Sequence, residues 1–216
     1  MRKLVNQALA AILALTLLSA ATAQRYATAD DLMSAVEARP EPKTTEATLT
    51  MTITTAGGQT LTRTLQMWGA GDDKRLIKFT APADISGSGF LTITQADGSE
   101  EKLVYLPALD RVRRIAGGQQ GDAFFGSDFS YEDITGIDPD DYTHALLSVK
   151  DGPTYVVEAT PTAASGSVYD RLVIDVPEAS LVPVRVEYYR AGALVKVLSV
   201  SGLTEVAGYT IATERR

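Results

Sequence analysis

The sequence lacks most of the residues on which enzyme chemistry depends. It contains no cysteine, one histidine and one tryptophan in 216 residues. Without cysteine there is no disulfide framework, no thiol nucleophile and no lipobox thiol to carry an acyl anchor. His144 lies in an alternating, strand-like pattern, and no nucleophile stands near it in a known catalytic motif. Phosphate-binding, dinucleotide-binding and Gly-x-Ser-x-Gly motifs are also missing. We therefore predict a protein that is not an enzyme, with no catalytic residue and no cofactor.

Basic residues are also in the minority. The chain has 20 Lys and Arg against 27 Asp and Glu, which gives a formal net charge of −7. Nucleic-acid binding gains affinity from counterion release at basic surfaces, so we predict no nucleic-acid partner. Asp138, Asp140 and Asp141 suggest a calcium loop, but the remaining EF-hand positions are absent. We predict no metal site and interpret this group as a solvated acidic loop.

Only one apolar run is long, and it lies near the N-terminus. It extends from about Ala8 to Leu18, after Arg2 and Lys3 and before Ala21-Thr22-Ala23, which is the pattern of a secretory signal peptide. About a dozen apolar residues are too few to span a bilayer, which needs about twenty. We predict that residues 1–23 are cleaved, and that loss of Arg2 and Lys3 changes the net charge from −7 to −9. Residues 24–216 then form one exported, monomeric domain.

The segment after the predicted cleavage site has the pattern of a helix. Thr28 followed three residues later by Asp31 predicts an N-terminal cap, and apolar residues then recur at helical spacing until Pro40. We predict a short amphipathic helix over residues 28–39 that covers one end of a sheet.

From Glu46 the hydrophobic period changes to two. Leu49, Met51 and Ile53 alternate with threonines before a Gly57-Gly58 turn, which predicts a hairpin with one apolar face. Short alternating runs bounded by glycine, proline or aspartate continue to the C-terminus and give about ten strands. Such a meander must curl or close to shelter its apolar face. The predicted fold is mainly β with a small helical part, a curved antiparallel sheet or half-open β-barrel.

Charge and aromatic surface are concentrated between Lys102 and Ile134. This stretch contains Leu-Pro-Ala-Leu-Asp-Arg-Val-Arg-Arg-Ile at 106–115 and Gly-Ser-Asp-Phe-Ser-Tyr-Glu-Asp at 126–133. With Gly-Asp-Asp-Lys at 71–74 and Pro-Ala-Asp-Ile-Ser-Gly-Ser-Gly-Phe-Leu at 82–91, it closely resembles the outer membrane lipoprotein-sorting protein family. That family is similar to the periplasmic lipoprotein carriers of the Lol pathway. The resemblance extends from about Glu46 to the C-terminus.

The resemblance implies a periplasmic protein in which a helical lid covers a hydrophobic cavity. Helix 28–39 and the 117–141 segment would lie over the mouth of the cavity. It also implies one more strand after residues 208–216, so we expect the domain to be clipped at its C-terminal strand.

The apolar residues of the strands allow two interpretations. They interdigitate as a filled core, which is the commoner outcome, or they line a cavity in which aromatic and methionine side chains tolerate a sliding hydrocarbon chain. The predicted lipid-binding residues are Leu49, Met51, Ile53, Leu65, Met67, Trp68, Phe90, Phe124, Phe125 and Phe129.

The arginine cluster at 111–114 also needs partners. Arg111 and Arg113 point to one face of a strand and Arg114 to the other, so neither face is buried without pairing a guanidinium. The partners are either internal carboxylates or the polar head of a lipid at the cavity rim. The predicted head-group or gate residues are Arg111, Arg113, Arg114, Asp128, Glu132 and Asp133.

The leading hypothesis is a periplasmic carrier of lipid or lipoprotein acyl chains between the inner and outer membranes. Burial of an acyl chain yields roughly 0.8 kcal/mol per methylene, so such a carrier needs no further motif. The resemblance implies an inner-membrane transporter of the ABC or RND type as partner. The alternatives are an accessory lipid-binding protein of an RND-type exporter, a non-lipid adaptor with a filled core that docks through the 111–133 surface, and an enzyme that uses the acidic loop.

Overall fold

The computed structural model describes residues 24–71, 73–150 and 152–216, and twelve strands lie within these ranges. The predicted signal peptide lies outside the described residues. The strands are β1 (Thr44–Thr54), β2 (Thr60–Ala70), β3 (Lys74–Ala81), β4 (Gly89–Thr94), β5 (Glu100–Leu106), β6 (Arg111–Arg114), β7 (Tyr142–Lys150), β8 (Thr154–Pro161), β9 (Arg171–Pro177), β10 (Arg185–Arg190), β11 (Ala193–Val206) and β12 (Tyr209–Arg215).

The strands form two antiparallel sheets of six. The first has the order β1-β2-β3-β4-β5-β6, and the second has the order β12-β11-β10-β9-β8-β7. Within each sheet every strand thus pairs with its neighbours in sequence, β6 and β7 are not paired with each other, and neither sheet closes on itself. The predicted mainly-β fold with an unclosed antiparallel architecture and few helices is confirmed. The number of strands is higher than the predicted ten, and residues 209–215 form an edge strand of the second sheet.

Tight turns with left-handed glycines connect several of these strands. The first hairpin turns at Gly58, whose φ is 78°, and the hairpin between β4 and β5 turns at Gly98, whose φ is 81°. Glycine adopts this backbone conformation without steric cost. The Asp97 carboxylate supports the second turn by accepting a hydrogen bond from the Ser99 amide at 3.0 Å.

Helix α1 (Ala29–Glu37) covers the second sheet. Thr28 caps it as predicted, because the Thr28 hydroxyl accepts a hydrogen bond from the Asp31 amide at 3.0 Å. Leu32 is fully buried and belongs to one core cluster with Val157 and Leu172, which lie on β8 and β9. The face of the second sheet that carries this cluster is called its inner face.

The first sheet has its own core on one face. Leu65, Ile77, Phe79, Phe90 and Val104 form a separate buried cluster, at strand positions that the period of two places on the same side. We call this side the inner face of the first sheet and the opposite side its outer face. The inner face is covered by the 117–141 segment, which contains helix α2 (Tyr131–Thr135) and three short 3-10 turns.

Candidate functional site

Aromatic rings of the 117–141 segment fill the inner face of the first sheet. Phe124 is fully buried, and its ring centroid lies 5.5 Å from that of Phe90 and 5.6 Å from that of Tyr131. The Phe125 ring lies 4.7 Å from the ring of Phe79 on β3. Aromatic pairs at such distances add about 0.5–1.5 kcal/mol beyond the burial of their area. The segment therefore packs into the sheet as a plug of aromatic side chains.

Most of the predicted lipid-binding residues meet in this cluster. Leu65, Phe90 and Phe124 are buried in it, and four of the others pack at its border: Met51, Met67, Phe125 and Phe129. Leu49 and Ile53 lie on the same side of β1, opposite Leu65 and Leu61 of β2, but outside the cluster. Leu49 is 38% exposed.

Trp68 does not join these residues. It follows Met67 on β2, so its side chain projects from the outer face. There it lies in register with Leu76 of β3, and Leu76 is in register with Leu91 of β4. Its grouping with the inner residues rested on its residue type, whereas the strand period already separates it from Met67.

The arginine cluster and the predicted carboxylates are not brought together. Among the described residues Arg114 forms an ion pair with Glu101 of the neighbouring strand. The Arg113 guanidinium lies near the Tyr131 hydroxyl, and burial of that hydroxyl raises the pKa of Tyr131 while Arg113 opposes the increase. Every residue of β6 is exposed. The structure thus pairs Arg114 with a different carboxylate from the predicted ones, because Glu132 and Asp133 contact the second sheet instead.

Asp133 fastens α2 to the second sheet. Its side chain is only 1% exposed and forms an ion pair with Lys196 of β11. It also accepts hydrogen bonds from the Tyr169 hydroxyl at 3.0 Å and from the Ser130 amide at 2.5 Å. Burial raises the pKa of Tyr169 above its ordinary value, so the phenol remains a neutral donor. The Asp133 carboxylate is thus fully engaged.

Glu132 makes a second attachment to the same sheet. Its carboxylate accepts hydrogen bonds from the Ser167 hydroxyl at 2.5 Å and from the Val168 amide at 3.0 Å. The side chain of Asp128 has no comparable role, although its backbone carbonyl accepts from Lys196 at 3.5 Å. Two of the three predicted carboxylates therefore hold the segment in place.

Basic residues of the first sheet bind the backbone of the segment. Arg63 of β2 donates to the Phe125 carbonyl. Arg75 of β3 donates through Nη1 to the carbonyls of Ile134 and Thr135, at 3.1 and 3.4 Å. These arginines were missed in the sequence, although each stands at an inward position of an apolar alternation, where an unpaired cation would be costly. The segment is thus held by polar contacts to both sheets.

A cavity of about 210 Å³ remains between the segment, the end of α1 and the second sheet. Its apolar wall comes from Leu172, Val182, Val186, Leu198 and Val200, and further wall residues are Arg39, Glu132, Asp133, Ile137, Tyr142, Tyr188 and Arg215. Burial raises the pKa of Tyr142 to about 12, so this hydroxyl is neutral at physiological pH. The cavity thus offers hydrocarbon contact and neutral hydroxyl groups. Ligand pockets usually enclose about 300–1,000 Å³, so it accommodates a small ligand or part of a longer chain.

A groove of about 320 Å³ lies on the outer face of the first sheet. It is lined by Leu76, Lys78, Gly87, Gly89, Phe90, Leu91, Leu103, Tyr105 and Val112. Val112 is 63% exposed, and so is the nearby Leu109. This groove is separated from the inner cavity by the sheet itself.

His144 has a structural environment. Its Nδ1 lies 3.3 Å from the Asp30 carboxylate of α1, and its ring is 6% exposed. Its Nε2 is buried without a hydrogen-bond partner among the described residues. The ring thus packs α1 against β7.

The acidic group at 138–141 forms a turn. Asp138 accepts a hydrogen bond from the Asp140 amide at 3.0 Å and so caps a 3-10 turn. Within residues 24–71, 73–150 and 152–216, no group of three His, Cys, Asp or Glu side chains is placed to hold a metal ion. No helix in the same ranges is long and apolar enough to cross a bilayer.

Comparison with known proteins gives matches to a family and to solved structures. A family model described as "-like: Uncharacterized protein" matches residues 71–216. A DUF1329 family protein from Desulfovibrio piger is 31% identical, with a TM-score of 0.77 over 83% of this chain and 80% of that chain. No curated protein matches the chain.

Two further solved structures share the architecture. One, from Vibrio parahaemolyticus, is assigned as an outer membrane lipoprotein-sorting protein domain; it is 29% identical, with a TM-score of 0.79 over 86% of this chain and 82% of that chain. The other is a LolA superfamily protein from Nitrosomonas europaea, 20% identical, with a TM-score of 0.69 over 88% of this chain and 84% of that chain. The second likeness concerns the fold alone.

Proposed function

Since this chain belongs to the DUF1329 family, we propose that it is a periplasmic carrier of lipid or lipoprotein acyl chains. The chain binds the hydrocarbon between the inner faces of its sheets and the 117–141 segment, and it transfers the cargo from the inner to the outer membrane. The similar domain from Vibrio parahaemolyticus is assigned to lipoprotein sorting, which supports this class of function.

One observation carries the proposal. The inner face of the first sheet is covered by the rings of a connecting segment, and polar side chains and backbone carbonyls fasten this segment to both sheets. Such contacts release and re-form more readily than a filled interior can be repacked, because cores are close-packed. Displacement of the segment would uncover Met51, Leu65, Met67, Phe79 and Phe90 next to the existing cavity. A filled interior is thus compatible with transport, because the side chains that fill it belong to a segment that can move away from the sheet.

The remaining assignments follow from this arrangement. We assign the gate to Glu132 and Asp133, which hold the segment, and propose that residues 24–216 act as one domain after cleavage of residues 1–23. Arg111 and Arg113 stand on an exposed edge strand, where they are available to a partner surface. An inner-membrane transporter of the ABC or RND type is the proposed donor of cargo.

The test is uptake of a neutral apolar probe by the purified protein. N-phenyl-1-naphthylamine should become fluorescent on binding, and organic extracts of the protein should contain lipid by mass spectrometry. Leu198→Trp places an indole in the cavity wall and should reduce uptake. Val197→Trp is the matched control, because Val197 is the preceding residue on β11, projects from the opposite face and is 37% exposed. A folded protein that carries no lipid and takes up no probe would contradict the carrier function.

An adaptor function is the second candidate, and the outer groove favours it. The groove and the exposed β6 provide apolar and basic surface together near the 111–133 region. Under this function, Val112→Asp should abolish binding of a partner protein and leave probe uptake unchanged. The carrier function predicts the reverse pattern for Leu198→Trp.

A further inference from the structure

Two guanidinium groups line the inner cavity, and a third lies beside it. Arg39 follows the C-terminus of α1, and Arg215 lies on β12; both line the cavity wall. Arg75 of β3 reaches the end of α2, directly before Gly136 and Ile137, which also line it. Three elements that are distant in sequence thus bring positive charge to one apolar cavity, in a chain whose formal net charge is −7.

These cations are not neutralised by the carboxylates of the cavity wall. None of the ion pairs within the described part of the chain involves Arg39, Arg75 or Arg215. Of the two carboxylates that line the cavity, Asp133 is paired with Lys196, whereas Glu132 accepts only from the neutral Ser167 hydroxyl and Val168 amide and keeps its charge. Arg39 and Arg215 therefore face one uncompensated carboxylate in the wall, and a positive charge remains available to a ligand.

Arg75 and Arg215 also lie close to each other. The pKa of Arg215 lies below its ordinary value, chiefly because of desolvation and secondly because Arg75 is near. The Arg215 side chain nevertheless retains contact with solvent. Arg75 uses Nη1 for the two carbonyls of the segment, so its other donors are free for an anion. Two neighbouring cations repel each other, and an anion placed between them would replace this repulsion with attraction.

A tyrosine hydroxyl without a hydrogen-bond partner in the described part of the chain accompanies the cations. Tyr188 is 4% exposed and lines the cavity, and its hydroxyl forms no hydrogen bond to any residue that the structure describes. Leu172, Val186 and Leu198 also line the cavity. Its wall therefore combines cationic and hydroxyl donors with aliphatic surface.

We propose that this cavity selects amphiphiles with an anionic oxyanion head, a carboxylate or a phosphate, which Arg75 and Arg215 bind while the alkyl chain lies against the aliphatic wall. The proposal rests on the carrier function and adds the class of cargo to it. Arg39 and the Tyr188 hydroxyl complete the donor set. Guanidinium groups suit this role because their planar forks match carboxylate and phosphate oxygens.

The test compares ligands that share one alkyl chain and differ in their heads. Decanoate, decyl phosphate, decanol and decyltrimethylammonium are titrated into the full chain by calorimetry below their micelle concentrations, with inorganic phosphate as the head without a chain. Decanoate and decyl phosphate should bind about tenfold or more tightly than decanol, because hydrogen bonds to charged groups are the stronger class. Added salt should reduce this preference.

Arg215→Gln and Arg75→Gln should each reduce the affinity for the two anionic ligands about tenfold. Arg215→Gln should leave uptake of N-phenyl-1-naphthylamine unchanged, whereas Arg75→Gln also removes contacts that hold the 117–141 segment and is therefore judged by its preference for anions over decanol. Arg216→Gln is the charge-matched control, because Arg216 is the adjacent residue and is paired with Glu214 on the exposed surface. Arg215→Lys keeps the charge and should retain part of the preference. The Arg215 side chain makes no hydrogen bond to any described residue, so its replacement should leave the fold intact.

The results separate the two proposals. If the neutral probe binds but the four decyl ligands bind equally, or if both arginine variants keep the preference for anions, the anion site is refuted and the carrier function stands. Inorganic phosphate that binds as tightly as decyl phosphate would refute an amphiphile site. If neither the neutral probe nor any decyl ligand binds, the carrier function fails and the anion site fails with it.

Discussion

The ion pair between Asp133 and Lys196 is the contact whose loss should release the 117–141 segment. It joins α2 to β11, and the two side chains are 1% and 18% exposed. Lys196 also donates to the Tyr169 hydroxyl at 2.7 Å, and that hydroxyl donates to Asp133. Replacement of Lys196 by Met leaves the Asp133 carboxylate buried with only neutral donors, those of Ser130 and Tyr169.

Removal of one partner from a buried ion pair costs roughly 3–5 kcal/mol, because the other charge stays uncompensated. Lys196 retains some contact with solvent, so we expect the lower end, about 3 kcal/mol, for Lys196→Met. A similar loss should follow Asp133→Asn, and the double variant should lose much less than the sum of the two. A free-energy change of about 3 kcal/mol corresponds to a change of roughly 100-fold in an opening equilibrium.

Amide hydrogen exchange resolves where this opening occurs. The amides of Phe124, Tyr131 and Glu132 are hydrogen-bonded within the segment, and their exchange should accelerate roughly 100-fold in Lys196→Met. Amides in the middle of β8 and β9 should be unaffected. Arg114→Gln is the control, since it breaks a pair in which the arginine is 68% exposed and such pairs contribute little. Equal acceleration in the segment and in β8 and β9 would refute the idea that the pair holds the segment locally.

Three further predictions concern α1, the alkaline transition and the tryptophan. Leu32→Ala removes a fully buried side chain between α1 and the second sheet. It should lower the free energy of unfolding, measured by urea titration, by about 2–5 kcal/mol. Leu194→Ala is the control, because Leu194 is 50% exposed and its replacement should change this free energy little. Burial raises the pKa of Tyr142 to about 12, so its contribution to stability is complete below the ordinary value of about 10 and is lost as pH rises towards 12. Tyr142→Phe should therefore lose less stability between pH 9 and 12 than the parent protein, and an equal loss would contradict the role of Tyr142. Trp68 projects from the outer face, so a brominated fatty acid in the inner cavity should quench its fluorescence weakly, whereas strong quenching would place the ligand in the outer groove.

The alternation of apolar and polar residues was sufficient to predict the strands, because each strand is antiparallel and carries its apolar side chains on one face. The hairpin at Gly57-Gly58 and the Thr28 cap were predicted from local signals that tertiary contacts do not override. The division into two sheets was not predictable in this way. It depends on the 27-residue interval between Arg114 and Tyr142, which separates β6 from β7. No local sequence pattern indicates that these two consecutive strands do not pair.

The candidate site was predictable in its residue types but not in its pairings. Phe124 and Asp133 stood out as aromatic and acidic residues after a glycine-rich turn, and both prove central to the segment. Their partners come from strands far away in the chain: Phe90 for the ring, and Lys196 for the carboxylate. The arginines at 111–114 are adjacent in the sequence, so a function is easily assigned to them. Arg63, Arg75 and Lys196, in contrast, are spread over three strands. Inward position on an alternating strand is the signal that identifies such cations.

The balance between the segment and a cargo chain explains why polar contacts can control a hydrophobic exchange. The rings of Phe124, Phe125 and Tyr131 cover the inner face in the structure, and aromatic side chains bury about 150–250 Å² each. At about 25 cal/mol per Å², three such rings contribute roughly 11–19 kcal/mol. An acyl chain of about sixteen carbons in their place contributes roughly 11–13 kcal/mol at about 0.8 kcal/mol per methylene. The two ranges overlap, so contacts of a few kcal/mol can influence whether the segment or a cargo chain covers the inner face. Those of Asp133, Glu132 and Arg75 are of this size. Under the proposed carrier function, a partner that competes for any of them would therefore shift the protein between closure and loading.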